Sequence, residues 1–266
     1  MDARSALFDL FGDHLRGRED AHRGRAPVAA LVRLMAPLGI AAPAVRTAVS
    51  RMVRQGWLTA VRLPAGPGYA VTARAVRRLD EAAERIYRTS HATWDGTWHL
   101  LAVTPPASRT DRERLSAQLA FLGYGSLGPT AWVSPRPSPE LDAALAESGA
   151  RAERFTAVHD GDSQALIARA WDLDGLGRAY GRFLVEAGES LAAHDTSTDV
   201  GAFAARSELV HTWRKFLFVD PGLPAALLPA DWPGAKAAAW FDDAATSLLP
   251  AARRHVDACL FPEGSP

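Results

Sequence analysis

Residues 45 to 58, VRTAVSRMVRQGWL, constrain the fold more than any other stretch of the chain. Val45, Ala48, Val49, Met52 and Val53 recur at i, i+3, i+4, i+7 and i+8, which is one apolar stripe along an α-helix. The opposite face carries Arg46, Thr47, Ser50, Arg51 and Arg54, side chains that hydrogen-bond phosphates and base edges. Gly56 stops the helix, and Trp57 and Leu58 begin an extended run. The stripe requires a core to lie on. The polar face has the character of a DNA-reading helix that leads into a wing.

The charge distribution agrees. The chain has 266 residues and no net charge, yet residues 1 to 90 hold 15 Arg against 8 acidic residues, a net +7. Residues 91 to 266 hold 15 basic against 22 acidic residues, a net −7. Such a split fits one module that meets a polyanion joined to another that avoids it. Every basic residue of the first 90 is Arg, the side chain suited to bidentate contacts with phosphate and guanine. Length allows two or three domains. No apolar run is long enough to span a membrane, the N-terminus lacks a signal-peptide pattern, and a single cysteine, Cys259, excludes an internal disulfide framework. A cytoplasmic location is expected.

Three segments follow from the periodicities. Residues 1 to 90 read as helix, helix, short turn and helix. The first helix is marked by Leu7, Leu10, Phe11, His14 and Leu15, and the second starts after Pro27. A hairpin comes next, around the PAGPG turn. Then a helix capped by Thr72 runs from Ala73 to Arg88. Residues 91 to 162 read as β-α-β-β-α-β, with strands at TWHLLAVT, near Gly125, at AWVS and over 154–158, and helices over 109–122 and 139–148. Residues 163 to 266 read as mainly helical, with helices over 203–218 and 235–260 around a proline-rich connection, DPGLPAALLPADWPG. The fold class is α+β: an N-terminal winged helix-turn-helix, a central ferredoxin-like domain and a C-terminal helical domain.

The chain resembles the PaaX family, transcriptional repressors of phenylacetic acid catabolism. The resemblance rests on VRTAVSRMVRQGWL, GYAVT, RIY (85–87), WDGTW (94–98), AWDL (170–173), HTWRKFLF (211–218) and DPGLPAALLPADWPG (220–234). It implies a homodimeric repressor with the three parts just described, released from operator DNA by a small effector. The family's best-known inducer is phenylacetyl-coenzyme A.

In the head, the residues nearest the N-terminus of a recognition helix reach bases best. Arg46, Thr47 and Ser50 are therefore expected to read bases, and Arg51 and Arg54 to meet phosphate. Arg62 is expected to reach the flanking backbone or minor groove from the wing. Trp57 is expected in the core. A coenzyme A thioester needs cations beside an apolar pocket. Arg178 and Arg182 beside Tyr180, and Arg206, Trp213, Arg214 and Lys215, are the expected effector contacts, on two helices that face each other.

Other chemistries find less support. Glu208-x-x-His211 has the spacing of half a metal site, but its only counterpart, Glu19-x-x-His22, lies in a polar loop. The central segment resembles in fold the CRISPR adaptation nucleases, which place a metal-binding Asp at the end of the first strand. Here that strand ends in Thr104 and Pro105. GxGxxG, GxxxxGK[ST] and GxSxG motifs are absent, so neither cofactor nor metal is expected. The rival reading is an enzyme acting on an aromatic or coenzyme A substrate, with the head serving assembly.

Overall fold

The computed structural model describes residues 1–86 and 94–261. By contact these form two compact units. One joins residues 1–90 to 182–215 and 237–266, and the other joins 91–181 to 216–236.

The first unit begins with α1 (Ala3–Leu10), capped by Asp2, whose carboxylate accepts from the Arg4 and Ser5 N–H groups at 3.0 and 3.1 Å. The helix continues into a π-helical turn, Phe11–Leu15. After a polar loop comes a three-residue strand, β1 (Arg25–Pro27), which the sequence did not announce. Helices α2 (Val28–Met35) and α3 (Ala42–Arg54) follow, then the hairpin β2 (Leu58–Leu63) and β3 (Gly66–Val71). The sheet order is β1-β3-β2, all antiparallel. The hairpin is tighter than PAGPG suggested: Leu63 pairs with Gly66, leaving only Pro64 and Ala65 as the loop. Gly68 lets β1 approach β3, because a Cβ there would lie 2.6 Å from the Ala26 carbonyl oxygen.

Helix α4 (Ala73–Ile86) starts on the expected cap, with Ala75 N–H donating to the Thr72 hydroxyl at 3.2 Å. Its expected continuation through Tyr87 and Arg88 lies outside the described residues. The core of this region holds Leu7, Phe11, Leu31, Met35, Val45, Val49 and Met52, and it is completed by Phe203 and Val256 from much later in the chain.

In the second unit, β4 (Trp98–Thr104), α5 (Arg109–Phe121), β5 (Gly125–Ser126), β6 (Ala131–Ser134), α6 (Leu141–Ser148) and β7 (Arg151–Ala157) build an antiparallel sheet of order β5-β6-β4-β7. The period of two divides its side chains. Leu101, Val103 and Trp132 meet Leu115 and Leu119 of α5 and Leu141 and Leu145 of α6. Trp98 and Val133 face the other way, onto Leu166 and Ile167 of α7 (Ser163–Ala170) and onto Leu223 and Leu227. The proline-rich connection is therefore a cover for this sheet. The Arg136 guanidinium donates to its Gly222 carbonyl at 2.6 Å. Strand β7 starts three residues before the expected position, because its exposed edge carries charged residues that mask the alternation.

The remaining helices are α8 (Leu173–Ala192), α9 (Asp199–Trp213) and α10 (Pro233–Leu260). The helix expected over 203–218 is α9 shifted toward the N-terminus, started by the Thr198 cap and followed by a 3-10 turn, Arg214–Phe218. Among the described residues no helix is long and apolar enough to cross a membrane.

Candidate nucleic-acid interface

Helix α3 is held from beneath. Val45, Ala48, Val49 and Met52 are buried, and Val49 is 3% exposed. Val53, expected in the same stripe, is 36% exposed. At i+8 it sits about 80° around the helix from Val45, at the margin of the buried face. Pro43 opens the first turn, where the missing N–H costs nothing. The C-terminal end closes with Trp57 N–H donating to Met52 O at 2.9 Å and Gly56 N–H to Val53 O at 3.0 Å. Gly56 adopts φ +72°, the left-handed conformation such an ending requires. The chain leaves directly into β2.

Above this anchored face, Arg46, Thr47, Ser50, Arg51 and Arg54 are all exposed. Among the described residues none of the three arginines makes a hydrogen bond or ion pair. The helix contains no acidic residue. Arg46, Ser50 and Arg54 follow one another at four-residue spacing along about 12 Å of helix, close to the width of a DNA major groove. Arg62 is exposed on β2, opposite Pro67 and one residue from the end of the strand. Unpaired arginines on a rigid helix, with the positive end of the helix dipole beside Arg46, make a surface suited to phosphate oxygens.

Trp57 is half-buried. Its ring meets Phe8 of α1 edge-on at 5.3 Å and carries the Arg74 guanidinium at 4.3 Å on a face. That sandwich fixes the junction between α3, the hairpin and α4, and it agrees with a packing role.

Three family models match along the chain: "PaaX-like protein" over residues 2–75, "PaaX protein central Cas2-like domain" over 91–166 and "PaaX-like protein C-terminal domain" over 171–258. The chain belongs to the PaaX-like family. It is 28% identical over 247 residues to the transcriptional repressor PaaX of Escherichia coli, covering 88% of this chain and 76% of that protein. Among solved structures it resembles an uncharacterised protein of Mycobacterium tuberculosis, at 30% identity and TM-score 0.67, covering 97% of this chain and 98% of the other.

The residues expected at the effector site have diverse surroundings. Arg206 is 3% exposed. Its Nε donates to the Ala245 carbonyl at 2.9 Å, and it forms an ion pair with Asp13. Arg214 is paired to Asp9, which also takes Nδ1 of His211 at 2.9 Å. The Trp213 ring is buried among protein groups. It stacks on Phe241 at 4.6 Å, meets Phe183 at 5.1 Å and donates to the Ile86 carbonyl. Arg178, Arg182 and Lys215 are exposed.

The two helices do meet as expected, through Phe183 on Trp213 and Ser190 Oγ donating to Glu208 at 2.9 Å. The contact is packed protein, and Arg206 and Arg214 turn to the acids of the N-terminal segment instead. Those acids, Asp9 and Asp13, carry no sequence signal of their role. Glu208 and His211 also part company, since Glu208 is taken by Ser190 and by His194 at 3.1 Å. Among the described residues no cluster of three or more His, Cys, Asp or Glu is placed to hold a metal ion.

Proposed function

We propose that this chain is a sequence-specific DNA-binding transcriptional repressor of a catabolic operon, without enzymatic activity, acting in the cytoplasm as a homodimer. The observation that carries the reading is the exposed, acid-free, arginine-rich face of α3, anchored by its opposite face in the core and followed directly by a hairpin. In this reading α1 to α3 with the β1-β3-β2 sheet are a winged helix-turn-helix, and Arg62 lies on the wing. Arg46, Thr47 and Ser50 read bases, and Arg51 and Arg54 hold phosphates. The likeness to a protein named as a transcriptional repressor supports the same conclusion.

We read the central domain as ferredoxin-like, a reading that its sheet order and the two helices on one face support. We read this domain as a scaffold rather than a catalyst. Dimer symmetry then demands two related half-sites at about whole-turn spacing. Release is assigned to an aryl- or acyl-coenzyme A thioester such as phenylacetyl-coenzyme A. It would stabilise an arrangement of heads that no longer matches the half-sites, and that requires a different affinity for the two states.

The test is titration of the chain onto DNA from its own upstream region, with and without phenylacetyl-coenzyme A. Tight binding that the thioester releases supports the whole reading. Binding indifferent to the thioester removes that effector and leaves the repressor.

A further inference from the structure

The first unit contains a cleft of about 270 Å³ between the π-helical turn, α9 and α10. Its charged lining is Asp13 and Arg16 from the turn and its exit, Arg206 from α9, and Asp242 and Arg253 from α10. Three arginines thus face one small space. Arg206 is buried and held by Asp13. Arg16 is bonded to Asp80, outside the cleft, at 2.6 Å. Arg253 is exposed and makes no ion pair or hydrogen bond among the described residues.

The field in the cleft is felt by its neighbours. Burial, with the Arg253 charge as the second cause, brings the Arg206 pKa down to about 10. Burial and then the same Arg253 charge hold His14, in the turn itself, at about 4. The charged forms of both groups are thus disfavoured first by burial and then by Arg253, which lines the same cleft as Arg206. A multivalent anion placed between Arg16, Arg206 and Arg253 would offset that repulsion through charge-assisted hydrogen bonds. The volume lies near the lower end of ligand pockets and suits a phosphate or diphosphate group rather than a large ligand entire.

We propose that this cleft is a binding site for the phosphate or diphosphate group of a small molecule, and that the bound group competes with Asp13 for Arg206. The second half of the proposal rests on the reading of α3 as the DNA-facing helix. Asp13 sits in a π-helical turn, an arrangement often found at functional sites. That turn is continuous with α1. Leu7 and Phe11 share a core with Val45 and Val49 of α3, and Phe8 touches Trp57. Freeing Asp13 gives the turn a second arrangement, and α1 passes the change to α3 through packed side chains.

The experiment uses the full chain, inorganic pyrophosphate as the probe and constant ionic strength. Calorimetry compares the wild type with Arg253→Ala and Arg254→Ala. Arg254 is the adjacent exposed arginine, but it pairs with Asp199 at 2.7 Å and lies outside the cleft lining. The wild type and Arg254→Ala bind, Arg253→Ala binds at least about tenfold more weakly, and Arg253→Lys recovers part of the loss. Absence of binding to the wild type, or equal binding by both alanine variants, overturns the site.

A second titration follows promoter DNA by fluorescence anisotropy. Pyrophosphate weakens DNA binding by the wild type and Arg254→Ala, and has less effect on Arg253→Ala. Selective calorimetric binding without this DNA effect overturns the coupling and keeps the site. A chain that binds pyrophosphate as described and never binds DNA refutes the DNA reading instead.

Discussion

Asp13 and Arg206 form an ion pair almost wholly removed from water, their side chains 9% and 4% exposed. One lies in the turn that follows the first helix and the other in α9, so the pair ties the N-terminal segment to a helix nearly two hundred residues later. Removing one member leaves a buried charge without compensation. Arg206→Ala should lower unfolding free energy by about 3–5 kcal/mol. The double variant Asp13→Leu with Arg206→Met should recover most of that loss, because two apolar side chains need no desolvation of charge. Urea denaturation of the set measures both. A loss below about 1 kcal/mol for the single variant would show that water reaches the pair.

The pH dependence has a definite sign. His14 is buried against Phe203, with ring centroids 5.3 Å apart, and its pKa falls from 6.5 to about 4, chiefly by burial. The unfolded chain therefore binds the proton more tightly than the folded one. The stabilisation is complete above pH 6.5 and drains away as pH falls toward 4. Between pH 7.5 and 5 the expected loss is about 2 kcal/mol from this group. His14→Leu should remove that part of the pH slope, as followed by denaturation at a series of pH values. An unchanged slope would mean that the folded His14 titrates near its ordinary value, paired with the Asp13 carboxylate 3.3 Å from its Nε2.

Much of the head was legible because each of its signals is local. The α3 stripe fixed both which face is buried and which is free. Gly56 and Thr72 marked the ends of elements by their own backbone chemistry. The β-α-β-β-α-β pattern of the central segment was readable for the same reason. Strand β1 was not, since three residues ending in proline present no period. The surroundings of Arg206 and Arg214 were hidden for a different reason. Nothing in the local sequence shows that Asp9 and Asp13 fold back onto Arg214 and Arg206, and a basic cluster reads the same whether it faces solvent or a distant carboxylate. Nor could spacing show that Trp213 stacks on Phe241.

Gly68→Ala tests the close approach in the three-stranded sheet. Its Cβ would meet the Ala26 carbonyl oxygen at 2.6 Å and Leu63 at 2.7 Å, so β1 must shift away from β3. A loss of about 1–3 kcal/mol is expected, the usual range for overpacking. Hydrogen exchange should quicken at Ala26, whereas the Arg25 N–H donates to the His22 carbonyl and not to β3. Full protection of Ala26 in the variant would contradict the geometry.

Gly188→Ala should act in the opposite direction. It lies inside α8, and an added Cβ has no neighbour within 4 Å. Replacing glycine there should stabilise the chain by about 0.5–1 kcal/mol, seen as a higher denaturation midpoint. A lower midpoint would mean that this face of α8 is covered in solution.

The central claim is that the exposed face of α3 reads DNA. Its most direct test is binding to the upstream region and to unrelated DNA across a series of salt concentrations, for the wild type and for the combined variant Arg46→Ala, Thr47→Ala, Ser50→Ala. These side chains are exposed, so the variant keeps its fold. The wild type should prefer the upstream DNA and weaken steeply with salt. The variant should lose that preference by about 1–3 kcal/mol for each base contact removed while keeping salt-sensitive, non-specific binding through Arg51, Arg54 and Arg62. A variant that still selects the upstream DNA with wild-type affinity would contradict the account.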